Sequence, residues 1–404
     1  MKILILSQVF FPDTVSVSQH ISDLAFKLTE EGNSVTVFTS CYPYEEKNTK
    51  YETSDFIRGV KIHRLIQTSF GKRNVFSRLV DFFSFYCSIT WKLIFIRRNS
   101  YDVIIGTTVP PLLSLIGILI AKRKKMKFVY WIMDLQPELS ISSGLIKKKS
   151  LIARLFTLLG NYIIKHSDRI VSLDRFMTSY LISRGATENS ISTIPVWPVM
   201  DEIFNGDRMS NPFRVQNNFG NKIVVMYSGN HAYVHPLDTL LEAALKMREN
   251  SKILFVFIGG GVRKKDVTEF KNKYHLNNII QLPFQPRENI HNSLGSSDIQ
   301  VVILGDGQVG YTHPNKVYGA LYVAKPILYI GPKKSHVGDI LDKLSGNIFV
   351  EHGQIDSLVN QLEQFSNLAS DVLEIIGNDN RKYAELNFNP DFLKTKMVDA
   401  VVNT

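Results

Sequence analysis

Cysteine is scarce: 404 residues hold two, Cys41 and Cys87. That excludes a disulfide framework and points to a reducing cytoplasm. The chain has no Asp-x-Asp pair and no cysteine cluster, so no tightly held metal is expected. Low-complexity linkers are missing. No zinc-finger spacing or RNA-binding signature occurs, which argues against a nucleic-acid partner. The first apolar run, "ILIL", is too short for a signal-peptide core and reads as a strand. A further absence lies at residues 310–326, "GYTHPNKVYGALYVAKP". It has a glycine turn, a short helix and a strand starting at Pro326, yet no acidic residue.

What is present suits two ordinary globular domains of about 200 residues each. With 44% hydrophobic and 21% charged residues, real cores can be buried. The net charge of +10 is uneven. Residues 1–200 hold 26 Lys and Arg against 15 Asp and Glu; the remainder holds 21 against 22. A basic first half suits an anionic membrane or a phosphorylated substrate.

Short apolar runs alternate with helical stretches in both halves. In the first half they are "KILILS", "SVTVFTS", "VKIHRLI", "DVIIGT", "KFVYWIMD" and "DRIVSL". In the second they are "KIVVMYSGN", "KILFVFIGGG", "NIIQLPF", "DIQVVIL", "KPILYIG" and "GNIFV". Such runs argue parallel sheets covered on both faces. The fold class is therefore α/β, with two Rossmann-like domains facing a cleft. Residues 1–198 form the first and 199–388 the second, with the boundary in the proline-bearing stretch 194–213. A last helix over 389–404 is expected to pack back on the first domain. The uncharged run 103–121 has the length of a membrane span. Thr107, Thr108, Pro110 and Pro111 split it, so a strand, a turn and a short helix are expected.

Candidate chemistry sits at strand ends. Ser16 or Ser18 is expected to cap the first helix, whose N-terminus could hold an anion. Gly229 ends a strand, and Asn230, His231 and His235 follow at the sheet edge where α/β folds bind ligands. Gly259 opens "GGG", and Arg263 stands beyond it where arginine can pair phosphate. Asp134 lies just past a strand, with Glu138 one turn on. Asp134 serves either as a proton acceptor or as a helix cap.

Together these stretches resemble glycosyltransferase family 4, which has the GT-B fold, over essentially the whole chain. "FFPDTVSVSQHISDLAFKLTEEGNSVTVFTS" is similar to that family's opening strand, loop and helix. "YSGNHAYVHPLDTLLEAA", "LFVFIGGGVRKKD", "NIIQLPFQPRENIHNSLGSSDIQVVIL" and "HPNKVYGALYVAKPIL" are similar to its donor-binding half. "WIMDLQPE" and "HPNKVYGAL" most resemble bacterial enzymes of O-antigen, capsule and colanic acid assembly. Some of these are thought to transfer N-acetylated deoxyamino sugars such as N-acetylfucosamine. The resemblance implies retaining transfer from a nucleotide sugar, UDP favoured, without metal or other cofactor. It implies donor contacts at Ser16, Gly229, Asn230, His235, Gly259 and Arg263. Further contacts are implied at Phe284, Gln285, Tyr311, His313, Asn315 and Lys316. Asp134 and Glu138 would be catalytic.

The departures are specific. The two glutamates of the family would fall at Tyr311 and Gly319, and its Arg/Lys diphosphate clamp near Asn230 and His235. The double glycine of its first loop falls near Val15 and Ser16. Lys316 could supply the charge lost at the clamp.

Residues 78–98 place Asp81, Ser84, Ser88 and Lys92 on one thin polar stripe of an otherwise apolar helix. Phe82, Phe83 and Trp91, closed by Arg97 and Arg98, suit a membrane interface. The expected protein is cytoplasmic and peripheral on the inner membrane, with an undecaprenyl-diphosphate-linked saccharide as acceptor. The competing readings are a UDP-N-acetylglucosamine 2-epimerase-like isomerase and a non-catalytic GT-B partner subunit.

Overall fold

A strand such as "ILFVFI" has no polar face, so it is stable only where both sides are covered. The computed structural model, which describes residues 1–43, 49–70, 75–200, 204 and 206–404, buries all six of these residues. The chain forms two compact units. The first comprises residues 1–197, 310–313 and 390–404; the second comprises 198–309 and 314–389. Within the expected boundary stretch, residues 201–203 and 205 lie outside the described residues.

In the first unit the order begins β1 (Lys2–Leu6), α1 (Ser16–Glu30), β2 (Ser34–Ser40), β3 (Ser54–Ile57) and β4 (Val60–Leu65). It continues with α2 (Val75–Ile94), β5 (Val103–Gly106), α3 (Leu113–Lys124), β6 (Lys127–Trp131) and α4 (Glu138–Ser142). Then come α5 (Leu151–His166), β7 (Arg169–Ser172), α6 (Arg175–Ser183) and β8 (Ile191–Thr193). The sheet order is β3-β4-β2-β1-β5-β6-β7-β8. All pairs are parallel except β3 with β4. The short, half-polar edge strands β3 and β8 carry no apolar run, which is why the hydrophobic pattern missed them.

The second unit holds α7 (Pro212–Gln216), β9 (Ile223–Ser228), α8 (Asp238–Lys246), β10 (Ile253–Ile258) and α9 (Lys264–Lys273). These are followed by β11 (Ile279–Leu282), α10 (Ile290–Gly295), β12 (Ile299–Ile303), α11 (Lys316–Tyr322) and β13 (Ile327–Ile330). The unit closes with α12 (His336–Leu341), β14 (Ile348–Val350), α13 (Ile355–Ser366) and α14 (Ser370–Asn387). The all-parallel order is β11-β10-β9-β12-β13-β14. Strand order reverses between β9 and β12, so the loops leaving these strands diverge and open a crevice at their carboxyl ends.

The last helix, α15 (Pro390–Val402), belongs to the first unit and packs on α1. Lys394 lies 5.8 Å from the centroid of the Trp197 ring, and Trp197 donates its indole N–H to Asp23 at 2.9 Å. The expectation of one unbroken second domain needs correction at residues 310–313. There Leu135 donates its N–H to the Tyr311 carbonyl at 2.8 Å, and Thr312 forms a β-bridge with Asp134. These backbone bonds tie the four residues to the first unit.

The expected serine cap is also corrected. Ser16 is the first helical residue of α1, Val15 occupies the cap position, and no side chain caps it. The uncharged run 103–121 divides into β5, a turn and α3. Among the described residues no helix is long and apolar enough to cross a membrane.

Candidate functional site

In the second unit the turn after β9 interlocks with the turn after β10. Gly259 has φ 128°, and a Cβ there would strike the Gly229 carbonyl. Gly261 has φ 122°, and its Cβ would strike the Asn230 side chain and the His231 backbone. Only glycine permits both the dihedral and the approach. The His231 N–H donates to the Gly260 carbonyl at 2.7 Å, and the Arg263 N–H donates to the His231 carbonyl at 2.9 Å. Half-exposed Phe284 lies across Gly259 and Gly260, where it can offer an aromatic face to a base.

Lys316, the first residue of α11, reaches this crevice. Its Nζ donates to the Tyr227 hydroxyl at 2.8 Å and lies 4.3 Å from that ring's centroid. Tyr227 in turn donates to the Asn230 carbonyl at 2.8 Å. Among the described residues no carboxylate pairs with this amine. Burial pushes the Lys316 pKa down to about 7. An unpaired cation at a sheet's carboxyl edge is suited to an incoming anion.

The neighbouring histidines supply no charge. His231 is lowered to about 4 by burial, and its Nδ1–H donates to the Gly260 carbonyl at 3.1 Å. Burial lowers the partly covered His235 well below its usual range, and its Nδ1–H donates to the Ile303 carbonyl at 2.7 Å. The two rings stand four residues apart in sequence but bond different carbonyls. Among the described residues no group of three or more His, Cys, Asp or Glu could hold a metal.

Arg263, expected at the phosphate, is engaged elsewhere. Its Nε donates to Asp266 at 2.7 Å, and its Nη2 donates to both oxygens of Asp238 at 3.2 and 3.1 Å. Burial opposes its charge, but these two carboxylates outweigh that and raise its pKa. Gln285 accepts from Asn289 and donates to the Pro283 carbonyl, which folds it onto its own loop. Asn315 occupies the cap position of α11 without a side-chain cap bond.

In the first unit, Asp134 follows β6 and caps no helix, since Pro137 precedes α4. The capping alternative is thereby removed. Thr312 donates its hydroxyl to Asp134 Oδ1 at 2.6 Å. Burial raises the Asp134 pKa, against smaller opposing effects of Thr312 and His313. His313 is itself fully buried and donates from Nδ1 to Asp174 Oδ2 at 2.7 Å. Asp174 also caps α6 by accepting from the Met177 N–H. His313 thus helps hold residues 310–313 to the first unit. Tyr311 packs its ring edge-on against Tyr180 at 5.0 Å, also in the first unit. Glu138 accepts from the Tyr180 hydroxyl at 2.6 Å and from Arg184 Nη1 at 2.5 Å. With both bonds on Oε1 and the side chain largely covered, Glu138 joins α4 to α6 and is withdrawn from the catalytic pair. Ser16 Oγ faces His20 Nδ1 at 3.4 Å, and the same histidine's Nε2 meets the Trp197 carbonyl at 2.9 Å.

Residues 210–383 match the family described as "Glycosyl transferases group 1". This chain carries a group 1 glycosyltransferase domain. Two curated relatives are similar. "Probable glycosyltransferase WbjE" of Pseudomonas aeruginosa is 26% identical over 247 residues, which is 61% of this chain. The match spans 62% of that relative's length. "Putative colanic acid biosynthesis glycosyl transferase WcaI" of Escherichia coli (strain K12) is 23% identical over 375 residues, 90% of this chain and 92% of that protein. Among solved structures, Anabaena Alr3699/HepE in complex with UDP and glucose superposes with TM-score 0.71 at 14% identity, covering 100% of both chains. The fold is GT-B.

Two residues in contact with the sites went unnoticed in the sequence. Tyr227 of the glycosyltransferase domain sits in an apolar strand, where its hydroxyl at the carboxyl end was the available signal. Thr312 carried no signal at all.

Three residues of the α2 polar stripe bond to the segment before the helix. Asp81 Oδ1 accepts from the Thr68 hydroxyl at 2.7 Å and the Phe70 N–H at 3.0 Å. Ser84 Oγ accepts from the Thr68 N–H at 2.9 Å, and Ser88 donates to the Ile66 carbonyl at 2.6 Å. These polar residues therefore face the protein and hold residues 66–70. The outward side carries Phe83 and Trp91, each 69% exposed, while Phe82 is partly covered. Arg97 and Arg98 are exposed beyond the helix.

Proposed function

We propose that the chain is a retaining, metal-independent glycosyltransferase that uses a UDP-sugar. The acceptor is a lipid-diphosphate-linked saccharide of bacterial surface polysaccharide assembly. The sugar moved is an N-acetylamino or deoxyamino sugar. One observation carries the reading: the Lys316 amine, with no carboxylate partner among the described residues, stands at the switch point of the second sheet beside Gly229. A departing diphosphate needs such a positive partner. Phe284 would lie against the base. Asp134, raised by burial, would take the proton of the attacking acceptor hydroxyl as the bond from sugar to diphosphate breaks. The WcaI relative is named for colanic acid biosynthesis, and the Anabaena protein was solved with UDP and glucose, which supports both substrate classes. The outward aromatics of α2 suit a peripheral position on the inner membrane's cytoplasmic face.

The test is incubation with a panel of UDP-sugars, with and without undecaprenyl-diphosphate-linked saccharide. Lipid-dependent release of UDP is expected from one donor. UDP release that ignores the acceptor, or epimerised UDP-sugar as the product, would remove the reading.

A further inference from the structure

Helix α5 is apolar on both of its sides. Ala153, Ile163 and Ile164 are buried on the inner side. Leu151, Ile152, Leu155 and Leu158 point outward, with Leu151 80% and Leu158 65% exposed. Leu145, in the connection before it, is exposed as well. A contiguous apolar patch left open on a helix marks an interaction surface.

The charge along residues 139–167 has one sign. No acidic residue occurs between Glu138 and Asp168, whereas Lys147, Lys148, Lys149, Arg154 and Lys165 do, all of them exposed. The lysine triplet ends two residues before Leu151, the first residue of the helix. Helix α3 packs against both α2 and α5, so the two helices share one layer of the first unit.

We infer that α5 and the lysines before it form a second membrane-docking element, whose occupant is an anionic bilayer surface. Exposed leucines at helical spacing enter the boundary between headgroups and acyl chains, while the flanking lysines pair with lipid phosphates. Charge complementarity decides between occupants. A second copy of this chain, paired through the same face, would set lysine triplet against lysine triplet. An anionic leaflet attracts the same residues. The inference takes its purpose from the lipid-linked acceptor proposed above, but its evidence is the surface itself.

The experiment is co-sedimentation of the full chain with vesicles of phosphatidylcholine alone, or of equal parts phosphatidylcholine and phosphatidylglycerol. Binding to the anionic vesicles only is expected. Lys147→Gln/Lys148→Gln/Lys149→Gln should weaken it on the order of 100-fold. Leu151→Ser/Leu155→Ser/Leu158→Ser should release the protein while its melting temperature and UDP binding hold. Should the leucine variant fold poorly, the lysine variant decides alone. Wild-type protein that ignores anionic vesicles overturns the inference. So do α5 variants that bind as wild type does, even if Phe83→Ser/Trp91→Ser abolishes binding. A dimer that the leucine variant dissociates, with vesicle binding intact, also overturns it in favour of a second copy. Vesicle binding as expected without any lipid-dependent sugar transfer would overturn the acceptor reading and leave this inference standing.

Discussion

The Lys316 ammonium donates to the Tyr227 hydroxyl at 2.8 Å while that tyrosine donates onward to the Asn230 carbonyl. The tyrosine can take the amine's hydrogen bond but cannot balance its charge. Burial alone brings the Lys316 pKa to about 7, below its usual 10.5. Between these values the unfolded chain holds more protons than the folded one, so stability of the unliganded protein should rise with pH across that window. UDP should reverse the shift by favouring the charged amine. At pH 8, binding should therefore take up a proton, read as a binding enthalpy that depends on the buffer's ionisation heat. Lys316→Met should abolish that uptake and weaken UDP by about 1–3 kcal/mol, with little change for uridine. Equal losses for UDP and uridine would take Lys316 away from the diphosphate.

Asp134 is expected to govern turnover and not nucleotide binding. Asp134→Asn should lower kcat by about 10²–10⁴-fold, the range of general-base assistance, and leave UDP affinity unchanged. Thr312→Val probes the same carboxyl more finely. The Thr312 hydroxyl favours the charged carboxylate, so its loss should move the acidic limb of the kcat profile to higher pH. A profile that keeps its position would separate Thr312 from the proton transfer.

Glu138 should behave in the opposite way. Glu138→Gln weakens the bond to Arg184 and should cost about 1–3 kcal/mol of stability, measured by denaturant unfolding. Turnover by the folded fraction should persist. A large loss of kcat at unchanged stability would return Glu138 to the catalytic pair.

Metal removal gives a further check. Transfer should survive EDTA, since the proposed charge partner of the diphosphate is an amine. A strict need for added Mg²⁺ or Mn²⁺ would contradict this.

The twelve apolar runs chosen from the sequence all became strands, because "ILFVFI" or "KFVYW" can satisfy themselves only as covered β-structure. The two missed strands, β3 and β8, are held by pairing with neighbours and not by their own residues. The glycine turn at 259–261 was legible too, since a backbone needing φ near 125° announces itself as glycine.

What the sequence by itself determined was the α/β plan, the strand ends and the loops that leave them, because local apolar patterning and turn chemistry act over a few residues. Which charges remain available was decided only by the tertiary structure. Arg263 meets Asp238, 25 residues away; Glu138 meets Arg184 at a separation of 46; Thr312 meets Asp134 at 178. A side chain's charge is useful to a ligand only if no folded neighbour has already taken it. Such neighbours are set by the packing of whole elements, which no local stretch encodes. Lys316 and Arg263 look alike as cations in the sequence, and only the fold gives Arg263 two carboxylates and Lys316, among the described residues, none.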